Sequence, residues 1–121
     1  MSWPMADPDF LNTLMSTREI ELTTKDRKTG RNSSRPVWFV LEGERLYLLP
    51  VAGSDSKWYK NILTNPEVQI AAKARTIVMK AKPVQVSAKV VDIVQKFRLK
   101  YGAAEISKYY SKLDAAVEVS T

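Results

Sequence analysis

The sequence contains neither cysteine nor histidine. Without thiols it can form no disulfide, offer no thiolate to a metal and attack through no cysteine nucleophile, and nothing in it points to an oxidising compartment. Without imidazole it can assemble no Ser-His-Asp triad, no imidazole general base and no ordinary zinc site. No side chain can therefore be singled out as catalytic, and no metal site is expected. Difficult chemistry would fall to a bound organic cofactor, with the protein supplying position and electrostatics. Glycine is scarce as well: Gly30, Gly43, Gly53 and Gly102 stand too far apart for a GxGxxG dinucleotide fingerprint or a Walker loop. A nucleotide-like ligand would need a different cradle. No apolar run is long enough to span a bilayer, and residues 1–15, with Asp7 and Asp9, lack the basic start and apolar centre of a signal peptide. A cytoplasmic protein with no stable membrane insertion is expected.

What is present suits one soluble domain. The chain has 121 residues, of which 45% are hydrophobic and 26% charged, values that exclude a disordered or collagenous chain. A core of this size leaves much surface exposed unless a second copy covers some of it. The formal net charge is +6, which favours anionic partners. That excess is concentrated in Lys25, Arg27, Lys28, Arg31 and Arg35, with Asp26 alone opposing them.

Along the chain, Asp7-Pro8 reads as an N-cap followed by proline at the first helical position, with Phe10, Leu11, Leu14 and Met15 repeating on one face. This predicts an N-terminal amphipathic helix over residues 1–17, leaving 18–121 as the main domain. Glu19 to Thr24 alternates as a strand, and Lys25 to Ser34 reverses the chain around Gly30. Pro36 to Leu41 is an apolar run suited to a strand covered on both faces and starting at proline; Glu42-Gly43-Glu44 turns it into a partner over Arg45 to Val51. A short helix over Lys57 to Leu63 is stopped by Asn65-Pro66. Glu67 to Lys73 and Thr76 to Val86 form a second hairpin. Ser87 then reads as the N-cap of a helix with Val90, Val91, Val94, Phe97, Arg98 and Tyr101 on one stripe, closed by Gly102. Glu105 to Lys112 suggests a further helical turn or two, and Ala115 to Val119 a closing strand. Hairpins interrupted by short helices imply an α+β, barrel-like domain of mostly antiparallel strands, because parallel winding would need a helix between most consecutive strands.

Two cationic sites flank the central hairpin. The basic reversal from Lys25 to Arg31 can meet an anion, or can be a solvated loop. Gly53-Ser54-Asp55-Ser56-Lys57-Trp58-Tyr59 places small polar residues before a helix whose free N–H groups and dipole suit a phosphate, with Lys57 adding charge; ordinary capping by Ser54 or Asp55 with Trp58 in the core is the alternative. Between them, Pro36, Val37 and Trp38 could wall a flat heterocycle, and Tyr101, Tyr109 and Tyr110 could close a pocket from the C-terminal side. Aromatic strands beside a basic loop would also suit single-stranded nucleic acid, the rival reading from these residues.

The ordered series Leu22-Thr23-Thr24, Arg27-Lys28-Thr29-Gly30-Arg31, Pro36-Val37-Trp38-Phe39, Leu46-Tyr47-Leu48-Leu49-Pro50-Val51, Trp58-Tyr59-Lys60-Asn61-Ile62 and Asn65-Pro66-Glu67-Val68 resembles the deazaflavin-dependent nitroreductase family, related to the FMN-binding split barrels similar to pyridoxamine-phosphate oxidases. The resemblance implies a split β-barrel with short flanking helices, usually a homodimer, that passes hydride between a deazaflavin, coenzyme F-420, and a small-molecule electron acceptor such as a quinone or nitro compound. It implies that Arg27, Lys28 and Arg31 face the phosphate and acidic tail, that Pro36, Val37, Trp38, Pro50, Val51, Lys57 and Trp58 form the cofactor groove, and that Trp38, Tyr109 and Tyr110 border the substrate. Asn32, Ser33 and Ser34 depart from the pattern at the reversal. FMN is the alternative cofactor. It carries one phosphate, whereas the deazaflavin adds a lactyl oligoglutamate tail, better matched to so many cations; a contacting charge pair is worth about 1 kcal/mol in water and about 4 in a partly shielded groove.

Overall fold

The computed structural model describes residues 8–43, 45–73 and 75–120. Eight-residue helix α1, Pro8–Met15, leads into β1, Glu19–Lys25, β2, Asn32–Glu42, and β3, Arg45–Leu48. A 3-10 turn, Gly53–Asp55, precedes α2, Lys57–Thr64; β4, Glu67–Ala72, and β5, Arg75–Val84, follow. The chain ends with α3, Ser87–Tyr101, α4, Ala103–Tyr109, and β6, Ala116–Ser120. The strands close into an antiparallel barrel in the order β1-β2-β3-β6-β5-β4. The predicted α+β split barrel is therefore the observed fold.

Alternation along the strands divides the apolar residues into two cores. Ile20, Leu22, Phe39, Leu46, Leu48, Val68, Ile70, Met79 and Val119 fill the barrel interior, plugged by Phe10 and Leu14 of α1 and by Trp58, Tyr59 and Ile62 of α2. Val40, Tyr47 and Leu49 point the other way and pack beneath Val90, Ile93, Val94, Phe97 and Tyr101 of α3 and Ile106 and Tyr110 near α4. Trp38 belongs to this outer layer, in register with Glu19 of β1. One residue of register thus decides that Val37 faces the interior and Trp38 the helices.

Several local expectations shift. β2 begins at Asn32, so Pro36 lies inside the strand opposite Glu21 and does not start it. It is tolerated because β3 joins β2 only from Phe39 onward, leaving a single ladder beside Pro36. The Asp7 cap lies outside the described residues, as does the Leu11 side chain; Phe10 and Leu14 are buried, whereas Met15 is 76% exposed, since a helix of eight residues offers the barrel too narrow a stripe for all four. Val86, not Ser87, caps α3, and no side-chain bond supports that end. On α3 the buried stripe takes Ile93 in place of Val91, which stays 59% exposed.

Candidate functional site

A cavity of about 610 Å³ opens between the outer layer and the start of α2. One wall is β2: Pro36, Val37 and Trp38, with Arg35 at its rim and Glu19 beside it. The facing wall runs from Leu49, Val51 and Ala52 to Asp55, Ser56, Lys57 and Trp58. Tyr109 and Tyr110, at the end of α4, close the third side.

Trp38 is held by aromatic packing. The Tyr101 ring stacks on it at 4.4 Å between centroids with 6° between planes, while Tyr109 meets it edge-on at 5.6 Å. Arg18 places its guanidinium 5.5 Å from the Trp38 ring and 5.1 Å from Tyr101. The Tyr101 hydroxyl reaches the carbonyls of Arg18 and Phe39, both at 2.8 Å, and accepts from the Phe39 N–H at 3.0 Å. Burial pushes the Tyr101 phenol up to about 12 and moves Tyr110 upward further, so both stay protonated across the physiological range. Lys100 donates to the Phe39 carbonyl at 2.8 Å, and burial, with Arg18 nearby, holds its ammonium below the usual lysine range.

The opposite wall carries the start of α2. Ser56 is the N-cap of α2, yet its hydroxyl accepts from the Ala52 N–H at 2.9 Å and makes no cap bond to the helix. The first turn of α2 therefore presents its N–H groups, with Lys57 beside them. Neither Ser54 nor Asp55 caps this helix: Ser54 bonds Asp114, and Asp55 pairs with Lys112 at 3.1 Å. Among the described residues no carboxylate pairs with Lys57, Arg35, Lys28 or Arg31. Asp26 is occupied too, accepting from the N–H groups of Thr29 and Lys28 at 2.8 Å, which lowers its carboxyl below the ordinary range.

Of the residues expected at a cofactor groove, the structure brings Pro36, Val37, Trp38, Val51, Lys57 and Trp58 to one cavity, together with the expected substrate neighbours Tyr109 and Tyr110. Arg27, Lys28, Arg31 and Pro50 do not line it. Pro50 is buried and its carbonyl accepts from Gly53 N–H at 3.0 Å. Arg27 ties the basic turn to α2, donating from its N–H at 3.2 Å and from Nη1 at 3.0 Å to Asn61 Oδ1. Asn61 lies one turn after Lys57 on the same helix face, so the turn sits further along α2 from the cavity. Leu49 also lines the cavity and was not assigned from sequence; Arg35 and Ser56, named there only within the basic stretch and the segment before α2, line it as well.

A family model for F420H(2)-dependent quinone reductases matches residues 9–120. The chain belongs to this family. It is accordingly an oxidoreductase. Solved structures agree on the fold of this reductase. An F420-H2 dependent reductase is 20% identical, over 84% of this chain and 93% of that one, with a TM-score of 0.64. A pyridoxamine 5'-phosphate oxidase-like protein from Listeria innocua is 15% identical, over 93% and 90%, at 0.68. The heme storage protein HutZ from Vibrio cholerae is 17% identical, over 95% and 88%, at 0.72. At such identities the likeness is one of architecture, the split barrel. Among the described residues of the reductase no cluster of acidic side chains could hold a metal ion, and no helix is long and apolar enough to cross a membrane.

Proposed function

We propose that this chain binds coenzyme F-420 in the cavity and catalyses hydride transfer from its reduced form to a quinone, a nitro compound or another unsaturated acceptor. The observation that carries this reading is the pairing, within one cavity, of an aromatic wall at Trp38 with the uncapped, lysine-flanked start of α2. When bound, the reduced deazaflavin supplies a hydride. Pro36, Val37, Leu49 and Trp58 offer apolar surface to a flat ring and exclude water. Lys57, Arg35 and the α2 N–H groups hold a phosphate, and Lys28, Arg31 and Arg27 extend the positive strip along α2 for further carboxylates. Trp38, Tyr109 and Tyr110 border the acceptor, and burial keeps the Tyr110 phenol a protonated donor. A proton from solvent completes reduction of the acceptor.

The protein works in the cytoplasm in this reading, as a homodimer; the outer sheet face bearing exposed Val78 and Ser34 is available for a second copy. The test is steady-state oxidation of reduced F-420 by the purified protein with menadione or a nitroimidazole. Acceptor-dependent turnover supports the reading; none with either acceptor opposes it.

A further inference from the structure

We infer that Asp114 is a positioning residue, which fixes the distance between two walls of the cavity by strapping the loop 51–55 to the segment 111–114. The inference rests on reading the cavity as the ligand site. Asp114 Oδ1 accepts from the Ser54 N–H at 2.9 Å, and Oδ2 accepts from the Ser54 hydroxyl at 2.6 Å. Three residues earlier, the N–H and the hydroxyl of Ser111 reach the Val51 carbonyl at 2.9 and 3.2 Å. Between them Lys112 Nζ meets Asp55 Oδ2 at 3.1 Å and Asp114 Oδ2 at 3.7 Å. Three residues of one short segment thus grip three points of another. Gly53 marks how close they come: at φ 56°, a Cβ there would collide with the Asp114 carboxylate and lie 2.9 Å from the Lys112 carbonyl.

Placement makes this a matter of position. Val51, Ala52 and Asp55 line the cavity on the loop side, and Tyr109 and Tyr110 line it immediately before the strap begins. Asp114 and Ser54 themselves do not line it. The strap is solvent-exposed, where hydrogen bonds and ion pairs contribute little to global stability because water competes for every partner. Loosening it should therefore move the tyrosine wall relative to the α2 wall while both cores stay packed.

The test uses the whole chain and the variants Asp114→Ala, Asp114→Asn and Ser54→Ala, with Lys96→Ala as a control that removes two ion pairs elsewhere, to Asp92 and Glu42. In ligand-free protein, hydrogen exchange read by mass spectrometry should quicken in D114A across 51–57 and 106–113 together, with β1, β4 and α3 unchanged. In titrations with oxidised F-420 and in turnover with menadione, the dissociation constant and the KM should each rise about fivefold with kcat within twofold. D114N, which keeps an acceptor for the Ser54 N–H, should recover most of both, S54A should fall between, and K96A should match the parent. Exchange that quickens in 51–57 alone, or ligand constants in D114A within twofold of the parent, would overturn the inference. So would losses that track a lowered melting temperature and are not recovered in D114N. If the parent protein binds no F-420, the proposed function fails, while the exchange measurement still decides the strap.

Discussion

Tyr101 lies flat against Trp38, 4.4 Å away, and its hydroxyl joins the end of the α1–β1 link to β2 through the carbonyls of Arg18 and Phe39. The ring that walls the cavity therefore rests on a residue outside it. Trp38 keeps its orientation because its support is tied to backbone on two separate segments.

Removing the tie and removing the support should differ. Tyr101→Phe keeps the stack but leaves the buried Phe39 N–H short of a partner, and should cost about 1–3 kcal/mol in urea unfolding. Tyr101→Leu also loses the ring contact, worth about 0.5–1.5 kcal/mol beyond area. Y101L should raise the menadione KM more than Y101F; equal effects would mean that the stack does not position Trp38.

Alkaline titration should show the burial of these phenols. Tyr101 has its pKa pushed up to about 12 from 10.0, chiefly by burial, and Tyr110 moves upward as well. In both folded and unfolded chains the phenols are neutral below about pH 10, so their contribution is fully present there. Between 10 and 12 the unfolded chain loses protons first, and stability falls as pH rises through the folded value. Tyrosinate absorbance should accordingly rise in two phases, the later one coinciding with unfolding, and Y101F should shrink the later phase. A single phase near 10 with the fold intact would contradict this burial.

The glycines at the two loops should not respond alike. Gly30 and Gly53 both have positive φ, 73° and 56°, but nothing lies within 4 Å of a Cβ built at Gly30. Gly30→Ala should cost only the left-handed backbone penalty, about 1–2 kcal/mol. Gly53→Ala adds a collision with Asp114 and the Lys112 carbonyl and should cost more. Thermal unfolding of the two variants side by side measures the difference.

Charge at the start of α2 should control ligand affinity. Lys57→Glu replaces attraction by repulsion beside the helix N-terminus and should weaken F-420 binding by on the order of tenfold or more at low salt. The parent's affinity should itself fall as salt rises, because the rim is exposed and screened. Unchanged affinity in K57E would move the anion site elsewhere.

Much of the fold was legible because local chemistry agrees with it. Asn65-Pro66 ends α2 at Thr64 as expected, and Glu42 pairs with Arg45 across the turn expected at Gly43. Period-two burial along β1 and β4 followed the alternation in the sequence. Phase was harder. On α3, Val91 and Ile93 are equally apolar, and which of them faces Tyr47 and Val84 is set by how the barrel presents its outer surface. The site was half legible for the same reason: Pro36, Trp38, Lys57 and Trp58 stand in recognisable segments, whereas the bond of Ser54 to Asp114 spans sixty residues and has no local signature. The basic turn was visible as charge, but only the Arg27 bond to Asn61 shows that it lies along α2, away from the cavity itself.

The most direct measurement is a side-by-side equilibrium titration of the purified protein with oxidised F-420 and with FMN, each read by its own fluorescence at low salt. Saturable binding of F-420 that is at least tenfold tighter than FMN, and that is weakened by K57E, is the expected result. Tighter binding of FMN, or no fluorescence change with either ligand, would contradict a deazaflavin site between Trp38 and the start of α2.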